Sequence, residues 1–240
     1  PLPNMADVIA SKPNADMYNR LLERYCAPYP DREGSITRQY NYEYDANVDT
    51  VFIKRFFSEK SQGGLSLIQT PAGKAVNGTL KYDPAWNAYY AGLNDQGGNI
   101  ALQKDMAVMM VPSDDAMNRY WEEGAGKVLR DYYGTWDNVP DDVISKLINV
   151  NMLSSFISSV PSKFDNILND ANDPMGVDIA DIDSVYLACN GAIYLTNKVY
   201  SPTAYISVSF PALINETMRI LYWGIEQLQY DVYLNSLNTY

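Results

Sequence analysis

The chain has 240 residues, 47% hydrophobic and 20% charged, enough to bury a real core in one large domain or two small ones. Its formal net charge of −11 argues against DNA or RNA as partners, because phosphate recognition needs Lys and Arg gathered on one face. It contains no His, the commonest general base and metal ligand, and its two cysteines, Cys26 and Cys189, allow at most one disulfide and no all-Cys zinc site.

No apolar run reaches about 18 residues, so no membrane span is expected. The chain opens PLPNMADV without an initiator Met and reads as a trimmed piece, with any signal peptide or lipid-anchor cysteine upstream. Residues 5–26 predict two short helices divided at Pro13, with Met17, Leu21, Leu22 and Tyr25 at helical spacing. Residues 27–50 are polar, Tyr-rich and broken by Pro, which predicts a loop or long insertion. TVFIKRFFS (50–58) has the content of a strand, and Gly63-Gly64, Asn77-Gly78 and Gly97-Gly98 predict turns between short strands over 59–104.

The apolar run 106–111 predicts a buried strand stopped by Pro112. Ser113 is placed to cap the following helix, with Asp114 and Asp115 at the positive end of its dipole. Residues 141–160 predict an amphipathic helix opened by Asp141 and Asp142, buried along Ile144, Leu147, Ile148, Phe156 and Ile157, and ended by Pro161. DANDPMG (170–176) is a turn cluster leading to the hairpin LACNGAIYLTNKVYSP (187–202). An Asn190-Gly191 turn, both residues at positive φ, would set Leu187 opposite Tyr194 and Tyr186 opposite Leu195. Apolar side chains on both faces of this hairpin predict cover on both sides. The end of the chain predicts helix, with a stripe through Leu213, Thr217, Ile220, Leu221, Gly224, Leu228 and Val232.

Two of these blocks, taken together, resemble the fasciclin-like domain family. MAVMMVPSDDAM (106–117) is similar to its first signature: an apolar strand, then Pro, Ser and acidic residues opening a helix, here Pro112, Ser113 and Asp114. NGAIYLTNKVYSP (190–202) resembles its second signature, in which Asn-Gly starts an apolar strand that runs to Lys, Val and a closing Pro, here Asn190, Gly191, Lys198 and Pro202. The resemblance implies an α+β fold with a β-sandwich-like core of short strands and helices packed around it. It covers one domain over residues 1–204, with an insertion at about 27–104. Residues 205–240 are then either a helical appendage or the start of a second, truncated domain of the same kind. The Tyr-His pair tied to adhesion in animal members falls on Val150 and Asn151, so that adhesive chemistry is not expected.

Other patterns lead to plainer readings. EEGAGKVL (122–129) has Trp121 where a phosphate loop needs its first Gly, so it reads as a helix break with a solvated Lys127. Asp170, Asp173, Asp178, Asp181 and Asp183 could supply oxygens to Ca²⁺, but Pro174 and Met175 occupy EF-hand ligand and Gly positions, and a solvated turn is the expectation. No Gly-x-Ser-x-Gly elbow exists, and the pairs Asp141/Asp142 and Glu122/Glu123 read as helix-end and solubility charges. Catalytic residues, cofactor and metal are therefore not expected. Among the 20 tyrosines, Tyr40, Tyr42 and Tyr44, with Trp86, Tyr89 and Tyr90, are the candidate aromatic surface for a sugar or protein, set against ordinary sheet packing.

The resemblance implies a non-enzymatic adhesion or interaction domain on the cell surface, of bacterial type and anchored to the outer membrane as a lipoprotein, with a protein or glycan as partner. The alternative is a carbohydrate-binding accessory lipoprotein of a glycan-uptake system, whose sugar binding would depend on Trp86 or Tyr42.

Overall fold

Asn4 accepts from the Asp7 N–H and so caps α1 (Met5–Ala10); after the break at Pro13, α2 (Asp16–Leu22) follows, as the spacing predicts. The computed structural model describes residues 3–59, 67–85, 105–207, 210–218, 220–221 and 223–224. Residues 27–50 depart from the predicted loop: β1 (Cys26–Pro30) and α3 (Ser35–Glu43) lie here, and β1 pairs antiparallel with β2 (Phe52–Phe56). Asp31 organises the crossing between them, its carboxylate accepting from the Thr37 N–H at 2.7 Å and hydroxyl at 2.9 Å. The polar run hides a helix because Gly34 in the left-handed region and the Asp31 bonds to Thr37, not an apolar stripe, set its start.

The central strand β3 (Ala107–Pro112) is buried along its length and includes Pro112 as its last residue. Ser113 Oγ then accepts from the Ala116 N–H at 3.2 Å and opens α4 (Asp114–Glu122). Asp114 does more than complement the dipole: its Oδ1 accepts from the Met17 N–H at 2.8 Å and joins the start of α4 to α2. The Gly124 to Gly126 break separates α4 from α5 (Lys127–Tyr133), and α6 (Asp141–Val150) follows.

The predicted helix over 141–160 is cut short at Val150. Buried Asn151 donates to the Leu147 carbonyl at 2.8 Å, and β4 (Met152–Leu153) then pairs with β3. Asp105 gathers the Phe156 and Ile157 N–H groups (2.9 and 3.0 Å) into a turn, leaving Phe156 half-buried and Ile157 exposed. Local capping thus wins over the continued apolar spacing.

The hairpin closes the sheet. β5 (Ile182–Ala188) pairs with β6 (Gly191–Thr196), and the strand order is β4-β3-β6-β5, with β3 and β6 parallel. The two resemblance blocks therefore supply adjacent central strands. The register differs from the predicted one by two residues: Ala188 faces Gly191, Leu187 faces Ala192, and Cys189 and Asn190 form the turn. Neither Asn190 nor Gly191 has positive φ. Asn190 is buried instead, accepting from the Met5 N–H and donating to the Pro84 carbonyl, both at 2.9 Å. A Cβ on Gly191 would stand 2.3 Å from Met5 Sδ and 2.7 Å from the Ala107 oxygen. Docking to α1, rather than turn chemistry, explains this Asn-Gly pair.

Side chains alternate across the sheet. Ala107, Met109, Val111, Ile193 and Leu195 join the large core with the buried residues of α1, α2, α4 and α6. Val108, Met110, Ala192 and Tyr194 join a smaller cluster with Leu153, Phe164, Ile167 and Val177. After Pro202, Tyr205 and Leu213 add to the large core, the latter from α7 (Phe210–Ile214). The predicted stripe stops there: Thr217, Ile220 and Leu221 are exposed, and Leu228 and Val232 lie outside the described residues.

Candidate functional site

Most of the tyrosines that the structure places serve the fold. The hydroxyls of Tyr82, Tyr133, Tyr194 and Tyr205 donate to the carbonyls of Val108, Ile214, Ser159 and Val143 at 2.8, 3.1, 2.9 and 2.7 Å. Tyr25 and Tyr29 do the same with Asp141 and Gln69. Burial pushes the Tyr18, Tyr120 and Tyr205 hydroxyls well above the usual phenol range, so all three remain neutral.

The candidate aromatic surface is divided. Tyr40 of α3 and Tyr44, the residue that caps its end, meet with ring centroids 4.8 Å apart, whereas Tyr42, 90% exposed, lies two residues from each. Trp86, Tyr89 and Tyr90 lie outside the described residues. At the position of the family's Tyr-His pair, Val150 and Asn151 are both buried, and Asn151 Nδ2 donates to the carbonyls of Leu147 and Tyr200. That position is a structural joint here.

Pro112, Ser113 and Asp114 form the β3–α4 junction, and Asn190 and Gly191 the docked turn already described. Lys198 sits 3.5 Å from Asp181 and over the Tyr200 ring, and buried Pro202 precedes the 3₁₀ turn Thr203–Tyr205. The acidic run is used for turns. Asp170 accepts from the Thr203 N–H, Asp178 caps the 3₁₀ turn Ile179–Asp181, and Asp181 accepts from the Tyr200 hydroxyl at 2.7 Å. Burial alone would raise the Asp181 carboxyl, but the Tyr200 hydroxyl, the Asp178 N–H and Lys198 hold it below its ordinary value. Among the described residues no three acidic, His or Cys side chains gather as a metal would need.

Both cysteines are free thiols. Burial and the Glu23 carboxylate push the Cys26 thiol up to about 11, which keeps it a protonated, poor nucleophile at neutral pH. A cleft of about 360 Å³ lies between the end of α4 and residues 197–201, with Arg119, Tyr120 and Lys198 in its wall. Its groups already have partners in the chain: Arg119 donates to the Asn197 carbonyl at 2.8 Å, and the Tyr120 and Ser201 hydroxyls bond at 2.7 Å.

The largest departure from expectation is on β5. The hairpin was expected to be covered on both sides, and β6 is, but β5 is the edge strand, alternating half-buried and exposed. α1 and Lys12, whose amine lies 3.6 Å from the Tyr186 ring centroid, cover one of its faces. On the other face Val185 and Leu187 are 53% and 62% exposed. They form one wall of an open groove of about 430 Å³, completed by Phe156, Val160, Pro161, Phe164, Ile179 and Tyr194. Asp183, at a bulge between Ile182 and Ser184, is the one charged side chain in the lining. The groove offers apolar surface, one carboxylate and the edge of a strand. These are the parts of a binding site. The alternation in IDSVYLA was visible in the sequence, but strand order, which decides which strand is last, was not.

Among the described residues, no helix is long and apolar enough to cross a membrane. Comparison with models of known families, with curated proteins and with solved structures finds no match.

Proposed function

We propose that the chain is a non-enzymatic, fasciclin-like interaction domain of the cell surface, presenting a binding surface to a protein or glycan partner. The observation that carries this reading is the open groove, where Val185 and Leu187 expose apolar surface that folding leaves unused. The motif blocks support the fasciclin-like part: β3 runs through Pro112 and Ser113 into α4, and the Asn190-Gly191 strand lies parallel beside it. That resemblance also supports an outer-membrane lipoprotein as the setting.

The test is direct binding of purified cell-surface proteins and a glycan array to the immobilised chain. Saturable binding lost in a Val185→Asp/Leu187→Asp double variant of unchanged melting temperature supports the reading. Turnover of a glycan substrate by the purified chain would contradict it. A second reading, a carbohydrate-binding accessory lipoprotein, draws on the exposed Tyr40–Tyr44 pair at the end of α3, since aromatic rings form sugar-stacking surfaces. Sugar binding lost with Tyr42→Ala or Tyr40→Ala, and retained in the double variant, would favour it.

A further inference from the structure

The edge of β5 has a defined hydrogen-bonding pattern. A two-residue turn closed by Ala188 and Gly191 makes that pair mutually hydrogen-bonded, and the alternation continues along the ladder. Ala188 and Tyr186 therefore spend their backbone groups on β6. Val185 and Leu187, opposite Tyr194 and Ala192, direct their N–H and C=O away from the sheet. No further strand pairs with β5 among the described residues. The two residues whose backbone faces outward are also the two whose side chains wall the groove.

We infer that this edge takes an extended polypeptide segment, apolar at alternate positions and carrying Lys or Arg beside Asp183, which adds to β5 as a fifth strand. This rests on the reading of the chain as a binding domain. The chemistry of the groove selects the occupant. A strand matches two features at once, because its backbone pairs with the edge while alternate side chains enter the groove between Leu187 and Phe164. A glycan needs several hydrogen-bonding side chains, and the lining holds few besides Asp183 and Ser184. The bulge at Asp183 ends regular pairing and sets its carboxylate at that end, where it favours a cation. A second copy of the chain is disfavoured, because each carries a net charge of −11 and would bring its own Asp183 to the shared edge.

The test uses a labelled short peptide of alternating Val and Thr with Lys at one end, synthesised in both directions and followed by fluorescence anisotropy on the full chain. One of the two directions is expected to bind saturably. Affinity should fall by about tenfold or more when Glu replaces Lys, when alternate peptide nitrogens are methylated, and in Leu187→Asp. Val185→Pro, which removes an outward N–H and spares the β6 ladder, should act likewise. If that variant unfolds, the methylated peptide still tests backbone pairing. Equal binding of methylated and plain peptide overturns strand addition. Failure of both directions, with a glycan or folded protein still bound by the chain, overturns the peptide and leaves the binding-domain reading standing. A dimer in sedimentation that Leu187→Asp dissociates assigns the edge to a second copy and also overturns the proposal.

Discussion

On one face of the central sheet, Met109, Val111, Ile193 and Leu195 lie within a core shared with α1, α2, α4 and α6, and Tyr205 ties its hydroxyl to the Val143 carbonyl of α6. On the other, Val108, Met110, Ala192 and Tyr194 are covered by the segment holding Phe164, Ile167 and Val177, while Val185 and Leu187 stay half-open. The same alternation feeds both faces, so hydrophobicity alone does not explain the difference. The closed face is fixed by buried polar groups with specific partners: Asn190 on Met5 and Pro84, Asn151 on Leu147 and Tyr200, Asp83 on Arg55. The β5 end of the other face has apolar contact and a strand edge that pairs with no other strand among the described residues. Stability is concentrated on the first, and the proposed recognition on the second.

The sharpest way to break this division is at Asp83, which has no solvent exposure and accepts from Arg55 at 2.7 Å and from the Ala85 N–H at 2.9 Å. Asp83→Ala should cost about 3–5 kcal/mol in chemical denaturation, because it removes the fully buried carboxylate of an ion pair and takes the acceptor from the Phe56 and Ala85 N–H groups. Gly191→Ala comes next. Its new Cβ meets the Ala107 backbone oxygen, which cannot step aside, and a loss of about 1–3 kcal/mol is expected in the same assay.

The pH dependence separates two carboxylates. Asp181 is held below its ordinary value, so the stability it adds is present above the unfolded-chain pKa of about 3.9 and is lost as pH falls through its lower folded value. Burial raises Asp83 despite the opposing Arg55 hydrogen bond and charge, so its contribution favours the fold at acid pH and declines as pH rises through its folded value. The deficit of Asp181→Asn should therefore grow with pH, and that of Asp83→Asn should shrink. Slopes of the same sign in urea melts across acid pH would show that the two groups are not held as described.

The smallest effect is expected at the open edge. Leu187→Asp should change stability by no more than about 0.5 kcal/mol, because the side chain is already more than half exposed. A loss of about 2 kcal/mol or more would mean that this edge belongs to the core and that the comparison fails.

How much of this could be read from residues differs from element to element. The strand at 107–112, the Ser113 cap and the paired N-terminal helices follow from local signals, and each stands where those signals put it. β4 has two residues and exists because β3 lies beside it, which no local pattern reveals. Asn190-Gly191 is a strong hairpin signal, yet the register differs from the one it predicts because Asn190 is engaged by α1 from 185 residues away. The 20 tyrosines advertised a binding surface, whereas many of those placed spend their hydroxyls on backbone carbonyls. Leu187 reads as covered until strand order makes β5 the last strand among the described residues.

Amide exchange at β5, followed residue by residue by NMR with and without the alternating Val–Thr–Lys peptide, tests the central claim most directly. The account predicts that the Tyr186 N–H, bonded to β6, is protected throughout, while those of Val185 and Leu187 exchange freely in the chain alone and become protected at saturating peptide. Protection of Val185 and Leu187 before peptide is added, or free exchange once it is saturating, would contradict it.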